Sequence, residues 1–129
     1  MIAVDTNVLV RYLTNDDQEQ AKRALAFLGS ADTVLVTETV LLELEWVLRG
    51  AYRLPRETIH RAMLQVLGLE NVQVRQATRI ARALDWFAAG MDLADAMHLA
   101  LADEAEGFVT FDRRLVKRAS AEGLAVALL

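Results

Sequence analysis

Carboxylates recur in this 129-residue chain where an apolar run meets a polar one. Asp5 ends the N-terminal run, Glu43 sits within TETVLLELEWVLRG, Asp92 and Asp95 open MDLADAMHLALA, and Asp112 ends FVTF. An acid in such a place has a local use, because Asp is a good N-cap and a first-turn carboxylate complements the helix dipole. Two acids at the mouth of one alanine- and leucine-rich helix exceed what a cap needs. Metal chemistry gives the set a second use. At an effective dielectric near 20, two carboxylates about 6 Å apart repel by roughly 3 kcal/mol, so a cluster of them calls for protons or cations. All-oxygen ligands select Mg²⁺ or Mn²⁺, and such ions activate water and stabilise the leaving oxygen of a phosphodiester. The expectation is that Asp5, Glu43, Asp95 and Asp112 converge on one metal site. The local alternative is a simple cap for Asp5 and for Asp112, and a reciprocal cap with Asp92 for Asp95.

The elements that must position these acids follow from periodicity. Met1 to Val4 reads as a buried strand ending at Asp5, and Thr6 and Asn7 start a helix through Leu13. A second helix opens near Asp17, with Gly29 as a C-cap, and Thr33 to Val36 is the next strand. Thr37 caps a helix closed by Gly50, and Pro55 sits in the first turn of the one after it. Val72 to Val74 is a brief extended segment. A helix over Gln76 to Ala89 shows Ala77, Ile80, Ala81, Leu84 and Ala88 on one face and ends at Gly90. The helix from Asp92 stops before Gly107, Phe108 to Phe111 is a strand, and a basic helix leads to a last strand over Leu124 to Leu128. Strands alternating with helices imply a parallel sheet between helical layers. In open α/β sheets the ligand crevice lies beyond the carboxyl ends of the strands, where Asp5 and Asp112 fall.

Periodicity does not choose every residue. Glu43 falls at one border of the face made by Val40, Leu41, Leu44, Val47 and Leu48, and Glu45 flanks the other border equally well. His98 shares the side of Asp95, where a lone histidine is more often a hydrogen-bonded structural residue than a ligand. Trp46 and Trp86 lie opposite the apolar faces of their helices. Off-core tryptophans are enriched at interfaces, and covering a neighbouring helix is the equal alternative.

One domain spanning 1–129 is the expected organisation, long enough to bury about two-thirds of its unfolded surface. The chain has no cysteine, which excludes disulfides and thiolate metal sites and fits a reducing, cytoplasmic setting. No apolar run reaches the roughly 20 residues of a membrane span, and the N-terminus lacks the basic region of a secretory signal. The net charge of −4 looks wrong for a nucleic-acid protein. Four acids on bound cations would account for that whole excess, and all but two of the 14 basic residues are arginine, the side chain suited to bidentate phosphate contacts.

IAVDTNVLVRYL, ETVLLELEWVL, MDLADAMHLALA and VTFDRRL, in this order and spacing, resemble the motifs of PIN domains, and specifically of VapC-type toxin ribonucleases from toxin–antitoxin pairs. The resemblance covers essentially the whole chain. It implies a three-layer α/β/α sandwich with a central parallel β-sheet and an endoribonuclease dependent on Mg²⁺ or Mn²⁺. It places the acidic ligands at Asp5, Glu43, Asp95 and Asp112, preferring Glu43 to Glu45. Thr6, Asn7 and Thr110 match supporting polar positions, and Asp92 matches a position often acidic but outside the core set. A homodimer and a cognate antitoxin protein are the partners implied besides RNA. Arg113, Arg114 and Lys117, with Arg118 beside them, are candidates for RNA backbone contact, as are Arg49 and Arg53.

Two other readings compete. Asp5 followed by Thr6 resembles the nucleophile of haloacid-dehalogenase-type phosphatases. That chemistry wants an Asp where Asn7 stands, and a phosphate-steadying lysine before a late acidic pair; the only lysines are Lys22 and Lys117, and no Asp follows Asp112. The third reading is a non-catalytic PIN-like module that binds RNA or a partner, against which the intact acid set argues.

Overall fold

A computed structural model describes all residues, Met1–Leu129, as two compact units, Met1–Ala77 and Thr78–Leu129. The first contains β1 (Ile2–Ala3), α1 (Thr6–Leu13), α2 (Gln18–Ser30), β2 (Val34–Leu35), α3 (Glu38–Gly50), α4 (Arg56–Leu67) and β3 (Val72–Gln73). Its strands pair in the order β1-β2-β3, all parallel, with Ile2 opposite Val34 and Val34 opposite Val72. Parallel neighbours need a crossover, and each here is a helix pair: α1 and α2 between β1 and β2, α3 and α4 between β2 and β3.

Helices α1 and α2 start at aspartate caps. Asp5 is extended, at φ −80° and ψ 159°, and its Oδ1 accepts the Thr6 N–H at 2.8 Å. Asp17 Oδ1 accepts the Gln20 N–H at 3.0 Å to open α2. The far end of α2 is closed from a distance, because Asn71 Nδ2 donates to the carbonyls of Leu28 and Ala31, both at 2.8 Å. Thr37 occupies the cap position of α3, yet its hydroxyl pairs with that of Thr39 instead of capping. Helix α1 packs on α2 and α3, and α3 on α4. Leu9, Leu41, Leu44, Leu48, Ile59 and Met63 are fully buried and form the core of this unit.

The second unit holds most of α5 (Ala77–Ala88), then α6 (Leu93–Leu101), β4 (Phe108–Thr110), α7 (Arg113–Ala121) and β5 (Val126–Leu128). Strands β4 and β5 pair in parallel, with Phe108 opposite Val126, and α7 is their crossover. Gly90 ends α5 at φ +118°, a conformation L side chains rarely adopt. A Cβ there would also lie 2.6 Å from Arg118 Nη1. The arginine tip could swing aside, so the backbone angle is the stronger reason for glycine.

The expected α/β class and all-parallel pairing are found, in a ladder of three strands and one of two. Strands are shorter than read from sequence, and Gly29 and Gly50 lie inside the last turns of α2 and α3 rather than beyond them. Pro55 is the N-cap of α4, one position earlier than expected. The buried face of α5 is Ile80, Ala83, Leu84 and Phe87, while Ala77, Ala81 and Ala88 are exposed. Phe87 brings more apolar area than any alanine, so burying it sets the rotation of the helix. Trp86 is also buried and lies under Arg82, whose guanidinium is 5.0 Å from the ring centroid, which settles its role as cover within the chain. Trp46 is 63% exposed.

Candidate active site

Three acids of the second unit sit at helix starts. Asp92 caps α6, its Oδ2 accepting the Asp95 N–H at 3.2 Å. The cap runs one way only: Asp95 does not return it. Asp112 caps α7, its Oδ1 accepting from the N–H groups of Arg114 at 2.9 Å and Leu115 at 3.3 Å. Thr110 holds the approach, its Oγ1 accepting the Asp112 N–H at 3.0 Å. Asp95 is half-buried on α6 above buried Leu99. Burial raises its pKa above the usual carboxylate value, the charges of Asp92 and Asp112 raise it further, and His98 partly offsets them. Asp92 and Asp112 therefore both bear on Asp95, which has no capping duty of its own. His98 is exposed and makes no hydrogen bond, so the structural role expected for it is not found.

The shift has a consequence for stability. A carboxyl whose folded pKa lies above its unfolded value stabilises the fold below the unfolded pKa, and that contribution is lost as pH rises through the folded value. In metal-free protein at neutral pH, ionised Asp95 is thus unfavourable. Asp95→Asn is expected to raise the neutral-pH Tm in EDTA by about 2–4 °C, a small gain because the site is part-exposed and screened. Well below the ordinary value of 3.8 the two proteins should melt together; a variant melting below the parent at pH 7 would contradict this.

In the first unit, Asp5 uses Oδ1 for its cap. Capping and metal binding were posed as alternatives by the sequence, yet a carboxylate has two oxygens and about four acceptor directions. For both Asp5 and Asp112 the cap takes Oδ1 and leaves Oδ2. Thr6 is buried, and its Oγ1 meets no hydrogen-bond partner in the chain. Buried hydroxyls are normally satisfied by protein, water or ligand, so this group suits a polar species held beside Asp5. Asn7 is exposed next to it.

Helix α3 resolves the two glutamates. Glu45 is buried, its Oε2 accepting from Arg49 Nε at 2.8 Å and its Oε1 from Nη2 at 3.4 Å. Glu43 is exposed. The internal pair makes Glu45 a structural acid and engages Arg49, one of the RNA-contact candidates. Arg113, Arg114 and Lys117 are exposed at the start and along the surface of α7. The four candidate ligands divide two and two between the units, and within neither unit do three carboxylates or imidazoles gather closely enough to hold a metal ion.

One part of the surroundings of Asp5 was not read from sequence. A cavity of about 550 Å³ is lined by Asp5, Asn7, Arg11, Gln20, Arg23 and Phe27 among others. Arg11 is fixed there by residues up to 41 positions away: Gln20 Oε1 accepts from its Nε at 2.7 Å, and Asp16 Oδ1 and Tyr52 Oη lie 3.1 and 3.2 Å from Nη1. Tyr52 also donates to Asp16 Oδ2 at 2.6 Å, and that bond, ahead of smaller contributions from Thr14 and Arg11, lowers the Asp16 pKa. Spacing along the chain carries no signal for a partner such as Tyr52.

The PIN domain family model matches residues 2–121. The chain is similar to the crystal structure of VapC20 from Mycobacterium tuberculosis, described as a sarcin–ricin loop cleaving toxin, at 20% identity, over 97% of each chain, with a TM-score of 0.44. No curated protein matches it.

Proposed function

The chain belongs to the PIN-domain family, and from that premise we propose that it is a Mg²⁺- or Mn²⁺-dependent endoribonuclease, the toxin of a toxin–antitoxin pair, working as one domain. The observation that carries this reading is Asp95: a half-buried carboxylate without a hydrogen bond, pressed by Asp92 and Asp112. Such an arrangement is unfavourable by itself and favourable beside a cation. The oxygen-only donors and the orphaned Thr6 hydroxyl fit a hard divalent ion and its water.

In this reading Asp5, Glu43, Asp95 and Asp112 hold the ion. When bound, it supplies activation of water and charge neutralisation at the leaving oxygen. The chain's own residues do the rest. Backbone N–H groups fix the Asp5 and Asp112 carboxylates through Oδ1, so their remaining oxygens are oriented before any ligand arrives. Thr6 and Asn7 steady the attacking water, Thr110 steadies Asp112, and Asp92 adds negative charge while capping α6. Arg113, Arg114 and Lys117 meet the RNA backbone. A homodimer, a cognate antitoxin and a cytoplasmic location complete the proposal; exposed Trp46 supports an interface, and no helix is long and apolar enough to cross a membrane.

Purified protein should cleave single-stranded RNA in Mg²⁺ or Mn²⁺ and not in EDTA. Expression without a partner should arrest or slow growth, and co-expression of a short upstream reading frame should relieve it. Normal growth with abundant folded protein would remove the toxin role, and identical RNA integrity with Mg²⁺ and with EDTA would remove the nuclease.

A further inference from the structure

We propose that the cavity between β1, α1 and α2 is a binding site for the RNA strand beside Asp5, in which Arg11 and Arg23 contact backbone phosphate and Phe27 receives a base. The inference rests on the ribonuclease reading for its ligand and adds two arginines that this reading gives no role, Arg11 within the first motif and Arg23 outside all of them.

Three features of the cavity point this way. The first is preorganisation. Arg11 is half-buried, and three side chains hold its Nε and Nη1, leaving Nη2 as a donor without a partner in the chain. A guanidinium fixed in this way has lost its rotamer freedom before a ligand arrives, so its free Nη2 meets an anion at little further entropic cost. A stapling role alone would not need the residue to line a 550 Å³ space.

The second is charge. Arg23 lines the same space, is exposed, and makes no ion pair or hydrogen bond with its side chain. Against these two cations the cavity holds one acid, Asp5, whose charge is shared with a cation in the ribonuclease reading. Asp16 does not line the space, but it forms an ion pair with Arg11 at 3.1 Å through Nη1, so Arg23 is the unpaired cation and Arg11 offers its free Nη2. The cavity therefore suits an anion at the arginines.

The third is shape. Arg11 lies six residues beyond Asp5, about 9 Å along a helix rising 1.5 Å per residue. The cavity thus continues away from the acid, and its floor is apolar: Val8, Ala24 and half-buried Phe27. Phosphate-binding arginines beside an aromatic ring are the pattern used for single strands, where the ring is a stacking platform and the guanidinium tracks the backbone. An acidic peptide would satisfy the arginines, but it has no use for the aromatic floor.

The test is binding of a fluorescein-labelled, mixed-sequence single-stranded RNA, measured by anisotropy in EDTA across a salt series. Arg11→Gln and Arg23→Gln are each expected to weaken binding about fivefold and to lower the slope of log K against log salt by about 0.7, the change for one lost phosphate contact on a single strand. Arg23 has no partner in the chain, so its variant keeps the fold even if Arg11→Gln loosens α1 and α2. Parent-like affinity and slope in Arg23→Gln and in a folded Arg11→Gln would overturn the proposal. So would an affinity for RNA no higher than that for poly-glutamate of similar charge at the same salt, because the aromatic floor would then contribute nothing. Because cleavage is scored separately in Mg²⁺, the two readings fail apart. A parent that binds but does not cut loses only the nuclease, whereas a parent that cuts with both arginines dispensable loses only this site.

Discussion

Asp5→Asn and Asp95→Asn are each expected to lower Mg²⁺-dependent RNA cleavage by at least about a hundredfold, because changes one shell further out already cost 10–100-fold in metal affinity or activity. The substitution is chosen so that only the charge is lost. Asn is as good an N-cap as Asp, so residue 5 keeps its bond to the Thr6 N–H and α1 keeps its start. At residue 95 no structural hydrogen bond is removed, and relief of repulsion from Asp92 and Asp112 should leave the fold at least as stable. An inactive variant with an unimpaired Tm therefore reports on the site. The paired control lies in α3, where Glu43→Gln should lose activity like the aspartates. Glu45→Gln should keep it, since Glu45 is buried against Arg49. Parent-rate cleavage by Asp5→Asn or Asp95→Asn would end the assignment of roles, and equal loss in both glutamate variants would show the effect to be structural.

The positions of three candidate acids were legible because these residues do local work first. An acid after an apolar run is a cap whatever else it becomes, so Asp5, Asp92 and Asp112 could be placed at element boundaries by capping rules alone. Strands β1 and β4 were legible for the same reason, as short apolar runs ending at Asp5 and Asp112. The length of each strand was not, because pairing with a neighbour decides where a ladder stops. Helix α3 shows where periodicity runs out. Its apolar stripe is bordered by two glutamates, and the one turned inward is the one with an arginine four residues later to pair with. That i,i+4 relation was visible and is the signal that could have separated them. The Arg11 network was not visible at all, because Tyr52 reaches Asp16 and Arg11 only once α3 has packed against α1.

The same helix gives the largest expected effect on stability. Leu41→Ala should cost about 2.7–5 kcal/mol, the span measured for buried leucines, where lost transfer energy adds to the cavity left behind. Leu41 is fully buried, and α3 is the helix on which both α1 and α4 pack, so neighbours on two sides are tied in place and collapse around the gap is limited. Set against a total of roughly 5–15 kcal/mol for a folded domain, this one change removes a large share of the stability. Trp46, five residues along, carries a larger apolar surface and is 63% exposed. Its replacement by alanine should shift the monomer by no more than about 0.5 kcal/mol. Urea denaturation at low protein concentration separates the two: the midpoint should fall steeply for Leu41→Ala at constant m and scarcely move for Trp46→Ala. If Trp46→Ala instead loses stability in proportion to protein concentration, its indole is buried against a second copy. That result would give the proposed homodimer its first contact residue and leave the Leu41 argument intact.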